Sequence, residues 1–414
     1  MAGRVRDASR NGKRMMPVMR NYLRNPQVRL SGALKALGSG ASQGQVYALK
    51  DRVNAWSGRY APIRWYAKKK VDGRERIICS LPPELSAVHY MLKRPLEALL
   101  FREENLFGVK GHSRDALAHE VKSLQNQGYV YIATTDIVDC YPSIDPDALY
   151  ELPLPKEVIR NTLDTRYMEF GNITGNTDNT GSKDILVSYG DICNATGPRG
   201  LMQGSPLSSV ILAWLLNGTP TSEDARAFLC FDNLIVLARS PNETRAMIDT
   251  LAAHFERCPA GPLALHEPTY ADNEPVEFLG YLFDPSRPEI GLSYGALEKI
   301  VKWLNKFESS YERGPVAAHS TSISEVESDS AIPIGNPLWE GSLMEIWNAL
   351  RSFRAGFSQV PADAEELQFL RDNSRWLAEC TDSAVICALR DNVFADRSTP
   401  EGRLILALLN AQRM

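Results

Sequence analysis

The chain has 414 residues, 44% of them apolar, 23% charged and 8% aromatic, which is material for two or three packed subdomains. No apolar run approaches the ~18 residues that a bilayer-spanning helix needs, and Met1-Ala2-Gly3-Arg4-Val5-Arg6 lacks a secretory apolar core, so no membrane partner and a cytoplasmic location are expected. A net charge of −4 speaks against a uniformly basic nucleic-acid binder, and seven cysteines with no Cys-x-x-Cys pair fit reduced thiols better than disulfides or structural zinc.

The charge is unevenly placed. The first thirty residues carry Arg4, Arg6, Arg10, Lys13, Arg14, Arg20, Arg24 and Arg29 against one acid, Asp7. Such concentration gains affinity for a phosphate backbone by releasing counterions, although a solvated arm has the same composition. Residues 1–58 read as this basic arm followed by helices. A second basic cluster, Arg59, Arg64, Lys68, Lys69, Lys70, Arg74 and Arg76, falls where two strands are predicted between Ile63 and Leu81, around the turn signal Val71-Asp72-Gly73-Arg74. Apolar residues recur at helical spacing from Leu85 to Leu100.

Tyr129 to Ile137 then reads as a buried strand ending in a carboxylate, Asp136. Residues 171–197 are polar and Gly-rich, an extended loop or small hairpin. A helix is predicted from Pro206 to Leu216, two apolar strands joined by a polar turn from Phe228 to Leu237, and a helix from Thr244 to Phe255 with Asn242 as its cap. Phe278 to Phe283 reads as one short strand. Beyond Gly291 the pattern is helical, interrupted by a Ser-rich acidic linker from Ala317 to Ser330. Strand–helix–strand–strand–helix–strand in that order is a ferredoxin-like pattern, and the fold class is α+β.

Such a sheet can bring Asp136, at a strand end, beside Asp232, in a hairpin turn. Nucleotidyl transfer needs two carboxylates that hold two divalent ions about 4 Å apart. Hard oxygen ligands suit magnesium, with manganese as the alternative.

Several segments resemble reverse transcriptases of the prokaryotic, retron and group II-like kind. Thr135-Asp136-Ile137-Val138-Asp139-Cys140-Tyr141 is similar to motif A, and Gly200-Leu201-Met202-Gln203-Gly204-Ser205-Pro206-Leu207-Ser208 to motif B, with its QGSPLS core. Cys230-Phe231-Asp232-Asn233 stands in the place of the YxDD turn, and Glu277-Phe278-Leu279-Gly280-Tyr281 resembles the primer grip. Lys68 to Ile78 resembles the fingers segment that meets the incoming triphosphate, and Phe107 to Ser113 resembles a segment of the retron-type enzymes.

The resemblance covers residues 60–285 in order. It implies a right-hand polymerase: a basic N-terminal arm with helices (1–58), fingers (59–128), a ferredoxin-like palm (129–291) and a helical thumb or C-terminal region (292–414). It implies Asp136, Ile137 and Asp232 as metal ligands, and Asp136, Asp232 and Asn233 as the catalytic set. Tyr141 becomes the ring that excludes a 2′-hydroxyl. Gln203 and Gly204 lie against the templating pair, where glycine permits close approach. Arg76 and one of Lys68, Lys69 and Lys70, with Lys69 taken as the representative, grip phosphates.

The implied partners are deoxynucleotides, a template or non-coding RNA and a DNA product, together with a second reverse transcriptase or a further copy of the chain. The likeness is greatest to the unknown-group and abortive-infection lineages linked to phage defence. Two departures stand out. The second acid of the turn is Asn233, which can coordinate but adds no charge, and Pro268 occupies the place of a lysine that protonates the leaving pyrophosphate, with His266 nearby. These departures favour an alternative, a catalytically impaired palm that binds nucleic acid or supports a partner polymerase. An RNA-dependent RNA polymerase is a third candidate, opposed by Tyr141 and QGSPLS.

Overall fold

A computed structural model describes Val5 and residues 15–38, 40–69, 75–100, 103–172, 186–187, 200–293 and 295–296. The rest of the basic arm, Lys70 and the turn 71–74, most of the polar segment 173–199, and the linker and C-terminal helices beyond 296 lie outside these residues. So does the side chain of Lys69. The chain divides into two compact units, Met1–Ser113 with Tyr131–Tyr270, and Arg114–Val130 with Ala271–Met414.

The first unit opens with three helices, α1 (Met15–Arg24), α2 (Pro26–Leu37) and α3 (Gln43–Arg52). Their starts follow from local chemistry. The Asn25 side chain accepts hydrogen bonds from the amides of Gln27 (2.9 Å) and Val28 (3.3 Å), with Pro26 in the first turn where no amide hydrogen is needed. Ser42 and Gln45 form a reciprocal capping box on α3.

Helix α4 (Pro83–Leu99) crosses α2 closely: a side chain at Gly32 would strike the Ala87 carbonyl and Met91. Pro95 lies inside α4 and supplies no amide for the Met91 carbonyl one turn back. The buried Tyr22 hydroxyl donates to that carbonyl instead, at 3.1 Å. Burial drives the Tyr22 pKa up to about 12, which keeps it a donor. Tyr22→Phe is therefore expected to cost about 1–3 kcal/mol, the penalty of an orphaned buried carbonyl, read as a lower urea midpoint with an unchanged m-value.

Two sheets follow in this unit. The first has the order β2-β1-β5-β6, from β1 (Ile63–Lys69), β2 (Glu75–Ser80), β5 (Phe170–Asn172) and β6 (Leu186–Val187). β1 and β2 are antiparallel, Trp65 opposite Cys79 and Lys68 opposite Arg76. The polar segment after residue 170 thus supplies two short strands, one parallel to β1.

The second sheet has the order β3-β7-β8-β4-β9. Its strands are β3 (Leu106–Phe107), β4 (Tyr131–Asp136), β7 (Ala225–Cys230), β8 (Asn233–Ala238) and β9 (Thr269–Asp272). The boundary between the units falls within β9. Without the edge strand β3, the order is that of the ferredoxin-like βαββαβ motif. Leu234 to Ala238 are fully buried, so β8 is apolar along its length and not alternating.

Between β4 and β7 the chain forms the single turn α6 (Cys140–Ser143), then α7 (Lys156–Thr162) and α8 (Ser208–Leu215). Helix α9 (Pro241–Glu256) packs on β4, β7 and β8 through a buried face that includes Leu251 and Phe255, and Thr244 Oγ1 donates to the Tyr131 carbonyl at 3.2 Å. Its cap is Ser240, accepting from the Glu243 amide at 3.4 Å, and not the expected Asn242. Pro241 fits the first helical position, so the cap lies two residues and the helix start three residues earlier than expected.

The second unit contains α5 (Arg114–Asn126) and a three-stranded sheet of β10 (Val276–Phe278), β11 (Tyr281–Phe283) and β12 (Gly291–Leu292). The single strand expected over 278–283 is instead a hairpin. Leu279 and Gly280 both adopt positive φ (52° and 87°), the geometry of a two-residue turn. Arg114 donates to the Leu279 carbonyl at 3.3 Å, and the Tyr281 hydroxyl bonds the Asp115 carboxylate.

Among the described residues no helix is long and apolar enough to cross a membrane. The described cysteines, Cys79, Cys140, Cys230 and Cys258, are buried and in no disulfide.

Candidate active site

Asp136 ends β4, and its strand partner across the ladder is Asn233, the first residue of β8. The β7–β8 connection is the two-residue turn Phe231-Asp232, since Cys230 pairs directly with Asn233. Phe231 takes φ 59°, a conformation that favours glycine at this position of a hairpin turn. Its ring lies on Gly108, where a side chain would meet Phe231 ring atoms at 2.9–3.1 Å. The strained turn is held by packing beneath it, and strain of this kind is characteristic of functional turns.

The Ile137 amide donates to the Asp232 carbonyl at 2.9 Å, tying the end of β4 to the turn. On the other side, the His266 amide donates to the Asp136 carbonyl at 2.8 Å and Thr135 Oγ1 donates to the His266 carbonyl at 2.7 Å. Asp136 is thereby fixed between two neighbours. His266, read from the sequence as a loop residue, is part of this strapping through its main chain.

The two carboxylates act on the same neighbours. Burial drives the Cys140 thiol pKa well above its ordinary value, and the negative charges of Asp232 and Asp136 add to the effect. The Tyr141 hydroxyl is likewise pushed up, first by burial and then by the charge of Asp232, with the Arg76 guanidinium opposing. Asp232 and Arg76 therefore lie within electrostatic reach of Tyr141, and Asp136 and Asp232 within that of Cys140.

Asn233 Nδ2 donates to Asp232 Oδ1 at 2.9 Å, so the amide already engages one carboxylate oxygen. Ile137 is buried, and only its main-chain carbonyl could serve as a ligand. No three His, Cys, Asp or Glu side chains among the described residues converge as a metal set. The donors at hand are two carboxylates, an amide oxygen and a carbonyl. This all-oxygen set is incomplete by itself and fits magnesium, which keeps waters and takes further ligands from substrate phosphates.

Gln203 and Gly204 are held by protein. The Leu201 amide donates to the Tyr141 carbonyl at 3.0 Å, and the Cys79 amide of β2 donates to the Gln203 carbonyl at 2.7 Å. Gly204 has φ 105°, and a side chain there would collide with the Cys79 carbonyl oxygen. The close approach that this glycine permits is thus to strand β2, whereas the sequence pattern suggested a nucleotide. Asp145 and Asp147 are structural: Asp145 accepts from the Asp147 amide at 2.8 Å, and Asp147 pairs with Arg166 at 2.8 Å.

One residue of this region gave no sequence signal. His89 is 1% exposed on α4, with Nε2 2.6 Å from the Thr162 carbonyl and Nδ1 2.7 Å from Ser205 Oγ in the QGSPLS loop. A carbonyl only accepts, so Nε2 carries the hydrogen and Nδ1 accepts from Ser205. Burial lowers the His89 pKa from 6.5 to about 4, although the Thr162 bond opposes this. The unfolded chain takes up this proton below about pH 6.5 and the folded one does not.

Stability should therefore be complete above pH 6.5 and fall as pH drops toward 4, by about 3 kcal/mol in all. Urea midpoints between pH 7 and 4.5 check this. His89→Gln, which cannot titrate, should show a flatter profile, and parallel profiles would remove His89 as the cause.

No protein-family model and no curated protein matches the chain. Among solved structures, it is similar to the apo telomerase of Candida tropicalis (12% identity, 83% of this chain and 68% of that one, TM-score 0.42). It is also similar to the telomerase of Candida albicans in complex with a fragment of telomeric RNA (12% identity, 82% and 67%, TM-score 0.37). An RNA-dependent RNA polymerase of a human picobirnavirus gives 11% identity, 85% and 64% coverage and a TM-score of 0.45. The chain spans about two thirds of the length of these proteins.

Proposed function

We propose that the chain is a reverse transcriptase, an RNA-directed DNA polymerase that joins a deoxynucleotide to a 3′-hydroxyl. One observation carries this reading: Asp136 and Asp232 sit side by side at one end of the central sheet, joined by the 2.9 Å bond from the Ile137 amide to the Asp232 carbonyl. Asp136, Asp232, the Asn233 amide and the Ile137 carbonyl would hold two magnesium ions, or manganese in their place. Those ions supply the charge that activates the hydroxyl and neutralises the triphosphate.

Tyr141, beside Asp232, bars a 2′-hydroxyl. Arg76, with Lys69 or a neighbouring lysine, draws the triphosphate toward the acids, and the Gln203-Gly204 loop bounds the pocket from β2. Residues 59–128 act as fingers, 129–291 as palm, 292–414 as thumb, and 1–58 as a basic approach to nucleic acid. Template or non-coding RNA, a DNA product, a partner polymerase or second copy and a role in phage defence follow from the motif resemblance, and a cytoplasmic location from the composition of the N-terminal segment.

The test is incorporation of labelled deoxynucleotides by the purified chain on RNA templates, including RNA copurified from its host, with magnesium or with a chelator. Metal-dependent DNA product supports the proposal, and its absence on every template sinks it. Tyr141→Ala should raise ribonucleotide use relative to deoxynucleotide use by roughly tenfold or more. A wild type that already uses both equally would end the steric-gate assignment and favour an RNA polymerase.

A second reading, an impaired palm that supports a partner polymerase, is favoured by Asn233, which leaves the turn with one negative charge and whose amide already occupies one oxygen of Asp232. Incorporation that appears only when a partner polymerase is added would select it.

A further inference from the structure

The first unit carries a second basic and aromatic surface that includes no residue of the acidic site. The Arg24 guanidinium, at the end of α1, lies 5.2 Å from the centre of the Trp56 ring. The Trp56 carbonyl accepts from Asn161 Nδ2 of α7 at 2.8 Å, and Gly58 packs against the same side chain. The loop carrying exposed Arg59 is thereby joined to α7. One residue before Asn161, exposed Arg160 stacks 4.5 Å from the centre of the Tyr167 ring, which is 53% exposed and among the most exposed of the large described hydrophobics. Exposed Lys156 lies one turn before Arg160 on the same helix face.

The exposed cations Arg24, Arg59, Lys156 and Arg160 stand with the exposed acids Glu151, Glu157 and Glu169 of the neighbouring segments, and the cations outnumber them by one. Arg166 is committed to Asp164 (2.7 Å) and Asp147 (2.8 Å) and does not enlarge the patch. Bases can stack on exposed rings while phosphates meet guanidinium groups, and an unpaired strand offers both along one surface.

We propose that this surface of α7 and the Trp56–Arg59 loop binds a single-stranded nucleic acid, with Tyr167 as the stacking platform and Arg160 and Arg59 as phosphate contacts. Arg160 is placed against the Tyr167 ring, and the Trp56–Asn161 bond ties the backbone of the loop that carries Arg59 to α7.

The experiment is fluorescence anisotropy with a labelled, unstructured oligouridylate and with a blunt duplex, in chelator, over a range of salt. Tyr167→Ala should weaken single-strand binding by roughly 5- to 100-fold, the loss of one stacked base. Tyr167→Phe, which keeps the ring, should restore it, and duplex binding should not change. Arg160→Ala and Arg59→Ala should each lower the slope of log affinity against log salt by about 0.7.

Unchanged single-strand affinity and slope in these variants would overturn the proposal, as would an equal loss on the duplex. Asp136→Asn should bind the strand as tightly as wild type. Failure of the polymerase reading appears only in incorporation, and failure of this surface only in chelator binding.

Discussion

Asp136→Asn and Asp232→Asn are each expected to lower deoxynucleotide incorporation by roughly 10³-fold or more while leaving the fold intact. Each change keeps the shape of the side chain and removes one of only two negative charges in the donor set. Loss of a single preorganised charge-stabilising group costs about 10²–10³ where other groups remain, and here few remain. Both side chains are partly exposed, so the amide is tolerated. At position 232 the amide oxygen can still accept from Asn233 Nδ2. Initial rates under saturating magnesium, with thermal midpoints measured alongside, check this. Either variant working at the wild-type rate would show that the two carboxylates are not the reaction centre.

Gly204→Ala is expected to cost about 2–5 kcal/mol and to reduce incorporation together with stability. Two costs add. A non-glycine residue at φ 105° loses about 1–2 kcal/mol. The new methyl group must also displace the Cys79 carbonyl, an overpacking cost of about 1–3 kcal/mol, and Cys79 cannot withdraw without stretching its 2.7 Å bond to Gln203. A urea midpoint shift at pH 7 reads the first effect. A change within about 0.5 kcal/mol, the usual range for an unconstrained surface site, would mean that the loop does not rest on β2.

The central sheet is legible in the sequence where a largely buried strand, β4, ends on the carboxylate of Asp136, and where the polar pair Asp232-Asn233 interrupts the apolar run from β7 into β8. Local signals fail where the deciding partner is distant or unconventional. Nothing near Gly204 names Cys79 as its neighbour. His89 reads as a lone histidine on an apolar helix, and its two partners come from residues 162 and 205. The turn at Leu279-Gly280 is hidden because leucine is a poor choice at φ 52°, and Ser240 is passed over for Asn242 because the role of Pro241 as first helical residue depends on the chain's exit from β8. Of the candidate site, the acids, Tyr141 and Arg76 are legible by motif. The straps that fix them, through Ile137, Thr135 and His266, are main-chain and register effects that no motif encodes.

The strand order also has a consequence in time. β4 is an interior strand of its sheet, yet both of its neighbours, β8 and β9, come later in the chain. Asn233, the residue that faces Asp136, leaves the ribosome roughly a hundred residues after it, on the order of 5–20 s at ordinary translation speeds. Throughout that interval the nascent chain displays Ile132 and Ala133, which finish fully buried, on a strand with two open edges. A chain that stalls or is cut before Asp232 carries only Asp136 of the acidic pair, on a strand with both edges open. The sheet that holds the acidic pair is thus completed only once β8 and β9 have followed β4 out of the ribosome.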